Sequence, residues 1–159
     1  MESEYIFERI VFPSGEGNPR NGEGDVVRLS DGRLLMVYGE FVGGSDSAPA
    51  TLQGVVSTDR GRTWGGKHTV QQNIGQENVM CASLLRLQNG EMLLGFLRKD
   101  KHMLQCTPFV RRSADEGRTW SEPEPVTPPR LPFYYVVNNS RMVGGLQGRM
   151  AVPAERMTW

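Results

Sequence analysis

The octamer STDRGRTW occupies residues 57–64, and a close copy, SADEGRTW, occupies residues 113–120. At a tight turn, Ser and Asp side chains accept hydrogen bonds from nearby backbone N–H groups, and Gly adopts a conformation that a Cβ disfavours. The Trp that ends each copy can pack back onto the preceding strands. We therefore expect the repeated positions to be structural and not catalytic: Ser57, Asp59, Gly61, Trp64, Ser113, Asp115, Gly117 and Trp120.

The octamers belong to a longer repeat of 58 residues. VVRLSDGRLLMVY (26–38) is matched by LLRLQNGEMLLGF (84–96) and by MVGGLQGRMAVPA (142–154). Gly32, Gly90 and Gly148 fall in register, each in a turn between two apolar runs. Asp-Gly and Asn-Gly between such runs are strong hairpin signals. Each unit is therefore predicted to begin with two antiparallel strands, A and B.

Two further strands complete the first two units. Strand C is predicted before each octamer, at 51–57 and 106–112, and strand D after it, from Lys67 and from Glu122. Helical periodicity is almost absent. A repeat of four antiparallel strands predicts an all-β propeller, in which neighbouring blades cover each other's faces. The predicted parts are a closing strand from another blade, two blades and half of a third, at 5–12, 24–71, 82–127 and 138–154.

The octamers resemble the Asp-boxes, or BNR repeats, of the sialidase (neuraminidase) superfamily. Both copies lie between strands C and D of a repeat, and the resemblance covers essentially the whole chain. It implies that intact members form a six-bladed propeller. The 159 residues then correspond to an N-terminal part of about two and a half blades, and the rest of the propeller is the partner that they need.

The composition excludes several classes of protein. The 18 basic and 18 acidic residues cancel, so nothing indicates binding to nucleic acid or to a membrane surface. No apolar run approaches the roughly 20 residues that span a membrane. The N-terminus MESEYIFERIVF has no signal-peptide pattern, so a cytoplasmic protein is expected if Met1 is the true start. Cys81 and Cys106 allow one disulfide, but two reduced, buried thiols are the simpler expectation.

The octamers also indicate where a ligand should bind. In an antiparallel blade the A–B and C–D turns lie at one end, and the B–C loops and blade connections lie at the other. The octamers occupy C–D turns, so we expect chemistry at the opposite end. The polar residues predicted there are Arg20, Glu23, Glu40, Asp46, Glu77, Asn78, Arg98, Lys99, His102, Asn138, Asn139 and Arg141.

The resemblance implies roles for some of these residues. Sialidases bind the carboxylate of an acidic sugar with three arginines, use a loop Asp as acid/base and use a Tyr activated by a Glu as nucleophile. Asp46 matches the acid/base, and Arg20 lies near the first Arg of the cluster; these two are the predicted catalytic residues. The predicted sugar-binding residues are Glu23, Glu40, Asn78, Arg98, Asn139 and Arg141. The resemblance implies a sialic-acid-type glycan as ligand, with no cofactor and no metal.

The sequence also departs from the family pattern. Alignment on DGRLL puts Gly22 at the place of the first Arg, and Glu40 and Phe41 stand where a second Arg is usual. The remaining arginines, the Glu and the nucleophilic Tyr are expected beyond Trp159.

Alternatives stay open for single residues and for the whole protein. Arg20 is equally explained as a partner of Glu16 or Glu23, and Asp46 as an ordinary polar residue of a Gly/Ser loop. RKDKH (98–102) reads as a solvated loop. For the parent protein the alternatives are a sialidase-like exo-glycosidase, a non-catalytic propeller that binds carbohydrate or protein, and an incomplete, inactive product.

The tyrosines near the end of the chain are not predicted to replace the missing nucleophile. Tyr134 and Tyr135 are instead expected to pack beside Phe133.

Overall fold

The computed structural model describes residues 11–101, 104–127, 133–145 and 150–157. The predicted closing strand at 5–12 lies almost entirely outside these residues, as do His102 and Gly148. Within the described ranges every regular element is a β-strand. The described part contains no helix long and apolar enough to cross a membrane. The predicted all-β class is confirmed.

Four antiparallel strands form the first sheet, in the order β1-β2-β3-β4. Their bounds are Arg20–Arg28, Leu34–Phe41, Ala50–Ser57 and Gly65–Gln71. The β1–β2 turn contains Gly32, whose φ of 89° is accessible to glycine without steric cost. The first octamer joins β3 to β4. The sheet is therefore a four-stranded meander of the kind that forms one propeller blade.

The second sheet repeats this meander with a shorter last strand. Its strands are β5 Asn78–Arg86, β6 Met92–Lys101, β7 Gln105–Ser113 and β8 Glu124–Pro125. The second octamer joins β7 to β8. The segment EPEPVT that contains β8 has two prolines, which cannot donate ladder hydrogen bonds, and this explains why β8 is short.

The described residues after β8 form four short strands, of which β9 (Tyr134–Val136) and β12 (Glu155–Met157) extend the second sheet. β9 pairs with β7 in parallel at Cys106, and β12 pairs with β9. β10 (Val143–Gly144) and β11 (Met150–Ala151) pair with each other in antiparallel fashion.

The two sheets pack through an apolar core. Strands β1, β2 and β3 contact β5 across this interface. The core residues that are fully buried, at 0% exposure, are Val37, Leu52, Val79, Ala82 and Leu94. Burial of one such Val or Leu side chain stabilises the fold by about 1.5–3 kcal/mol. The core fixes each sheet against the next and so determines which loops meet at the ends.

The two octamers share the hydrogen bonds of their Ser and Asp side chains but differ at the Trp. Trp64 Nε1 donates to Gly61 O at 3.0 Å, whereas Trp120 Nε1 is buried without a partner among the described residues. Ser57 Oγ accepts the N–H of Gly61 at 2.8 Å; Asp59 accepts the N–H of Thr63 at 2.8 Å and its hydroxyl at 2.6 Å. The equivalent distances in the second octamer are 2.9, 2.9 and 2.6 Å. The bonds from the Thr hydroxyl and backbone lower the pKa of Asp59, and likewise of Asp115, to about 2. Each octamer is a turn whose carboxylate is engaged locally.

Candidate active site

The first strand of each sheet, β1 or β5, has an irregular register at the end opposite the octamer. β1 has a bulge within residues 22–25, and β5 has one within residues 80–83. Within the bulges, Glu23 and Cys81 have positive φ values of 56° and 60°. Such values are uncommon outside glycine, and bulges redirect side chains next to functional sites. Here they let Glu23 Oε2 accept the N–H of Cys81 at 3.2 Å, which links the two sheets.

Arg20 connects two carboxylates at this end of the first sheet. Its guanidinium donates to Asp46 Oδ1 at 2.5 Å and forms an ion pair with Glu23. It also lies over the Phe41 ring, 4.1 Å from the ring centroid. Burial opposes the charge of Arg20, but the hydrogen bond to Asp46 and the negative charges of Glu23 and Asp46 raise its pKa overall. Arg20 is therefore a fixed cation that holds Asp46 and Glu23 near each other.

Side chains from the second sheet hold the backbone of Asp46. Asn78 Nδ2 donates to Asp46 O at 2.8 Å, and Lys99 Nζ donates to the same oxygen at 3.0 Å. The Asp46 side chain is 69% exposed, so a ligand can reach its carboxylate while its backbone is held. We refer to five residues as the polar cluster: Arg20, Glu23, Asp46, Asn78 and Lys99.

A cavity of about 230 Å³ opens beside the polar cluster. Its polar lining includes Glu23, Asp46, Lys99, Tyr134, Asn138 and Asn139. Another cavity, of about 180 Å³, lies between β6, β7 and the last segment, but its lining is mostly apolar and contains no member of the polar cluster. Binding sites combine an apolar wall with a few convergent polar groups. The cavity of about 230 Å³ beside the polar cluster is therefore the candidate site.

The thiols of Cys81 and Cys106 line this cavity, but their raised pKa values make them poor nucleophiles. Burial raises the pKa of Cys81 above its usual range, and the neighbouring Glu23 charge adds to the effect. Burial also raises the pKa of Cys106, to about 12. Both thiols are buried and unpaired, as expected from the sequence. Among the described residues no group of three or more side chains is arranged to hold a metal ion.

The two tyrosines have different surroundings. Tyr135 packs edge-to-face on Phe133, with ring centroids 6.3 Å apart. Tyr134 lines the cavity, where burial raises its pKa although the nearby Lys99 charge opposes the shift. A Tyr134 hydroxyl with a raised pKa stays protonated at neutral pH and can donate a hydrogen bond into the cavity.

Two predicted sugar-binding residues have partners outside the polar cluster. Glu40 forms an ion pair with the exposed Lys67. Arg98 forms an ion pair with Asp100 at 2.6 Å and lies over the Phe109 ring.

The last two predicted sugar-binding residues, Asn139 and Arg141, contact β1 and β5. Asn139 lines the cavity and donates to Gly24 O at 3.0 Å. Arg141 is exposed, and its backbone N–H donates to Ser83 Oγ at 3.2 Å. The structure thus joins Arg20, Glu23, Asp46 and Asn78 directly, while Arg98 and Arg141 remain separate from them.

Lys99 was predicted at the cavity end, but the sequence interpretation missed its burial. RKDKH was read as a solvated loop, but Lys99 is on β6 and is 2% exposed. Strand alternation was the available signal, because side chains two positions apart point to the same face. Lys99 shares its face with the buried Leu97, whereas Arg98 is partly exposed.

Comparisons with known proteins identify the fold. No protein-family model matches the chain, and no curated protein is significantly similar to it in sequence. Several solved structures are similar in fold, including the following three. A Dyadobacter fermentans protein of unknown function has a TM-score of 0.69 and 20% identity over 89% of this chain and 48% of that one. A Hadza microbial sialidase has a TM-score of 0.69 and 15% identity over 88% and 33%. A Penicillium chrysogenum α-L-arabinanase, complexed with arabinobiose, has a TM-score of 0.63 and 16% identity over 89% and 43%.

These similarities establish the architecture as part of a β-propeller, with sheets of four antiparallel strands as blades. The chain spans between a third and about half of the length of these structures. A site that draws on several blades is therefore represented here by the residues of only some of them.

Proposed function

We propose that this chain is part of a glycoside hydrolase that removes a terminal sialic-acid-type sugar, with Asp46 as acid/base and Arg20 as a contact for the sugar carboxylate. The observation that carries the proposal is the Asp46 carboxylate. It is exposed beside a cavity, one oxygen bonds Arg20, and its backbone is fixed by Asn78 and Lys99.

The chemistry of Asp46 follows from its position. A carboxylic acid beside the cavity would protonate the glycosidic oxygen as the bond breaks, and the carboxylate would then accept a proton from water. A positioned acid/base typically contributes about 10²–10⁴-fold to the rate. The nucleophile and the remaining arginines are expected from parts of the protein outside this chain.

Arg20 supports an acidic substrate. Its guanidinium already binds two carboxylates, those of Glu23 and Asp46, and its geometry suits bidentate binding of such groups. A sugar carboxylate would replace one of these partners. The fold shared with a sialidase is consistent with this assignment.

A neutral sugar is the second candidate substrate, and the same ion pairs favour it. Arg20 is already neutralised by Glu23 and Asp46, so an acidic sugar must compete with two internal carboxylates. Paired carboxylates also serve most glycosidases as acid and as base or nucleophile. In that case Glu23 and Asp46 would act on a neutral glycoside. The similarity in fold to an arabinanase is consistent with this alternative.

The test is a substrate panel on the full-length protein that carries this chain. Fluorogenic and natural sialosides and arabinofuranosides are assayed with the wild type, Asp46→Ala and the control Asp31→Ala. Asp31 is an exposed residue in the β1–β2 turn at the octamer end. We expect turnover of sialosides, a loss of about 10²–10⁴-fold in Asp46→Ala on natural substrates, and a smaller loss with good leaving groups. Asp31→Ala should retain activity.

The other outcomes separate the alternatives. Turnover of arabinofuranosides alone would replace the sialic-acid assignment by the neutral-sugar one. Glycan binding without turnover of any substrate would support a non-catalytic carbohydrate-binding propeller. The 159-residue chain by itself should not hydrolyse a sialoside, and rapid turnover by it would contradict a site shared among blades.

A further inference from the structure

Lys99 is a charged side chain in an unusual place. It is 2% exposed, near the end of β6. Burial of an ammonium group costs free energy unless hydrogen bonds or an opposite charge compensate. The nearest carboxylate oxygen, Glu77 Oε2, is 3.7 Å away, which is too long for a hydrogen bond. Glu77 alone therefore does not explain why Lys99 is buried.

The short contacts of Lys99 are with the loop that contains Asp46. This loop, residues 42–49, joins β2 to β3 in the first sheet. Lys99 Nζ donates to Asp46 O at 3.0 Å and to Ser47 Oγ at 3.4 Å. The ammonium group thus bonds the loop at two oxygens, and it also interacts with the Tyr134 side chain in the cavity wall.

Asn78 makes a second attachment to the same loop. It is completely buried, and Nδ2 donates to Asp46 O at 2.8 Å and to Ala48 O at 2.9 Å. Asp46 O therefore accepts from two side chains of the second sheet, one on β5 and one on β6. Both attachments cross the boundary between the two sheets, and both are made to a backbone atom.

We propose that Lys99 and Asn78 are positioning residues, which fix the 42–49 loop across the blade boundary so that the Asp46 carboxylate is held beside the cavity; their effect on catalysis rests on the proposed function. Misplacement of a reacting group by about 1 Å can cost on the order of 10²-fold in rate. A carboxylate on a loop held at two neighbouring oxygens, Asp46 O and Ala48 O, avoids such misplacement.

The test combines two readouts on the full-length protein, using Lys99→Met, Asn78→Ser and the control Lys67→Met. Lys67 is exposed and pairs with Glu40, outside the polar cluster. Hydrogen exchange is measured for the amides of the 42–49 loop, including Val42 and Ala48, whose N–H groups bond within the loop. Steady-state kinetics give kcat and KM separately.

Both test variants should raise exchange in the 42–49 loop by about tenfold or more while the core of β2 and β3 stays protected. They should lower kcat by about 10²-fold with KM within about threefold, as expected for a group that acts through another residue. Lys67→Met should change neither readout. If Lys99→Met does not fold, Asn78→Ser decides the question alone.

Two results would overturn the proposal. One is unchanged loop exchange in both variants; the other is a rise in KM with unchanged kcat in Lys99→Met, because that would make Lys99 a direct sugar contact. Faster loop exchange in a protein whose wild type hydrolyses no glycoside would uphold the anchoring of the loop and reject the proposed function instead.

Discussion

The two ends of the sheets are built in different ways. At the octamer end, hydrogen bonds join residues two to four positions apart, and the second octamer repeats them to within 0.1 Å. At the cavity end, the contacts of Arg20, Asp46 and Lys99 join residues far apart in the sequence. The comparison suggests that repetition specifies the frame, and that departures from repetition mark the candidate site.

The bulges illustrate this difference within one element. Glu23 and Cys81 are equivalent in the repeat and share the same left-handed backbone. One places a carboxylate beside Arg20, and the other places a thiol in the cavity wall. The two units therefore share the backbone conformation at this position but differ in the functional group of the side chain.

The largest stability effect should come from the tryptophan that ends the second octamer. Trp120 packs against the main apolar core, whereas Trp64 belongs to no described core cluster. Trp120→Ala should therefore cost about 3–5 kcal/mol of unfolding free energy, and Trp64→Ala should cost less. Urea denaturation of both variants checks the order. Equal losses would show that the octamers contribute to stability independently of their surroundings.

Substitution of the octamer glycines, Gly61 and Gly117, should also affect stability more in the second octamer than in the first. Gly61 and Gly117 both have positive φ, so alanine strains either site by about 1–2 kcal/mol. A Cβ on Gly117 would also lie 2.7 Å from Leu35 Cδ2, whereas its nearest neighbour at Gly61 is 3.6 Å away. Overpacking should add about 1–3 kcal/mol to the loss in Gly117→Ala alone. Calorimetry of the two variants measures this difference, and matching melting temperatures would contradict it.

Acid should weaken the octamer end. The pKa of Glu116 is lowered to about 2 by Arg86 and by the Ser30 N–H, and the pKa values of Asp59 and Asp115 are also about 2. A folded-state pKa below the unfolded value gives stability that is present above about pH 4 and is lost as the pH falls toward 2. Melting temperatures measured from pH 6 to pH 2 should follow this course.

Glu116→Gln should flatten that pH profile, and Glu124→Gln serves as its control. Glu124 is an exposed carboxylate on β8 with no ion pair to a described residue. If Glu116→Gln retained the full slope of the wild type, the assignment of the acid effect to Glu116 would be wrong.

The smallest effect concerns a charge difference between the octamers. Glu116 binds Arg86, but the equivalent residues of the first unit are Arg60 and Arg28, both exposed and without an ion pair to a described residue. Arg60→Glu should create the missing pair and stabilise the chain by about 0.2–1 kcal/mol, a gain that salt at about 1 M removes. Thr58→Glu, two residues before Arg60 in the same turn, should give no such gain. An equal gain from Thr58→Glu would indicate a general charge effect.

The sequence was sufficient to predict the frame because the frame depends on local signals. Strand C was predicted at 51–57, and β3 is Ala50–Ser57; both octamers lie between strands, as predicted. Gly turns and apolar alternation act over a few residues, so they can be read without knowledge of the packing.

The cavity end was predictable in composition but not in its contacts. Arg20, Glu23, Asp46 and Asn78 were all expected at that end, and their roles in binding and catalysis stay predictions. Their pairing depends on two bulges and on the register between sheets, which strand patterns do not encode. The burial of Lys99 was missed for the same reason, because its partners lie on a loop of the other sheet.

The central claim is that the octamer end stabilises the fold while the cavity end carries the chemistry. Asp46→Asn and Asp59→Asn make the same chemical change at opposite ends, so the most direct test measures turnover and melting temperature for both in the full-length protein. Asp46→Asn should lose about 10²-fold or more in kcat with little change in melting temperature, since an exposed ion pair contributes about 0–1 kcal/mol. Asp59→Asn should melt at a lower temperature and retain the turnover of the wild type while folded. Full activity in Asp46→Asn, or loss of activity in a folded Asp59→Asn, would contradict this division.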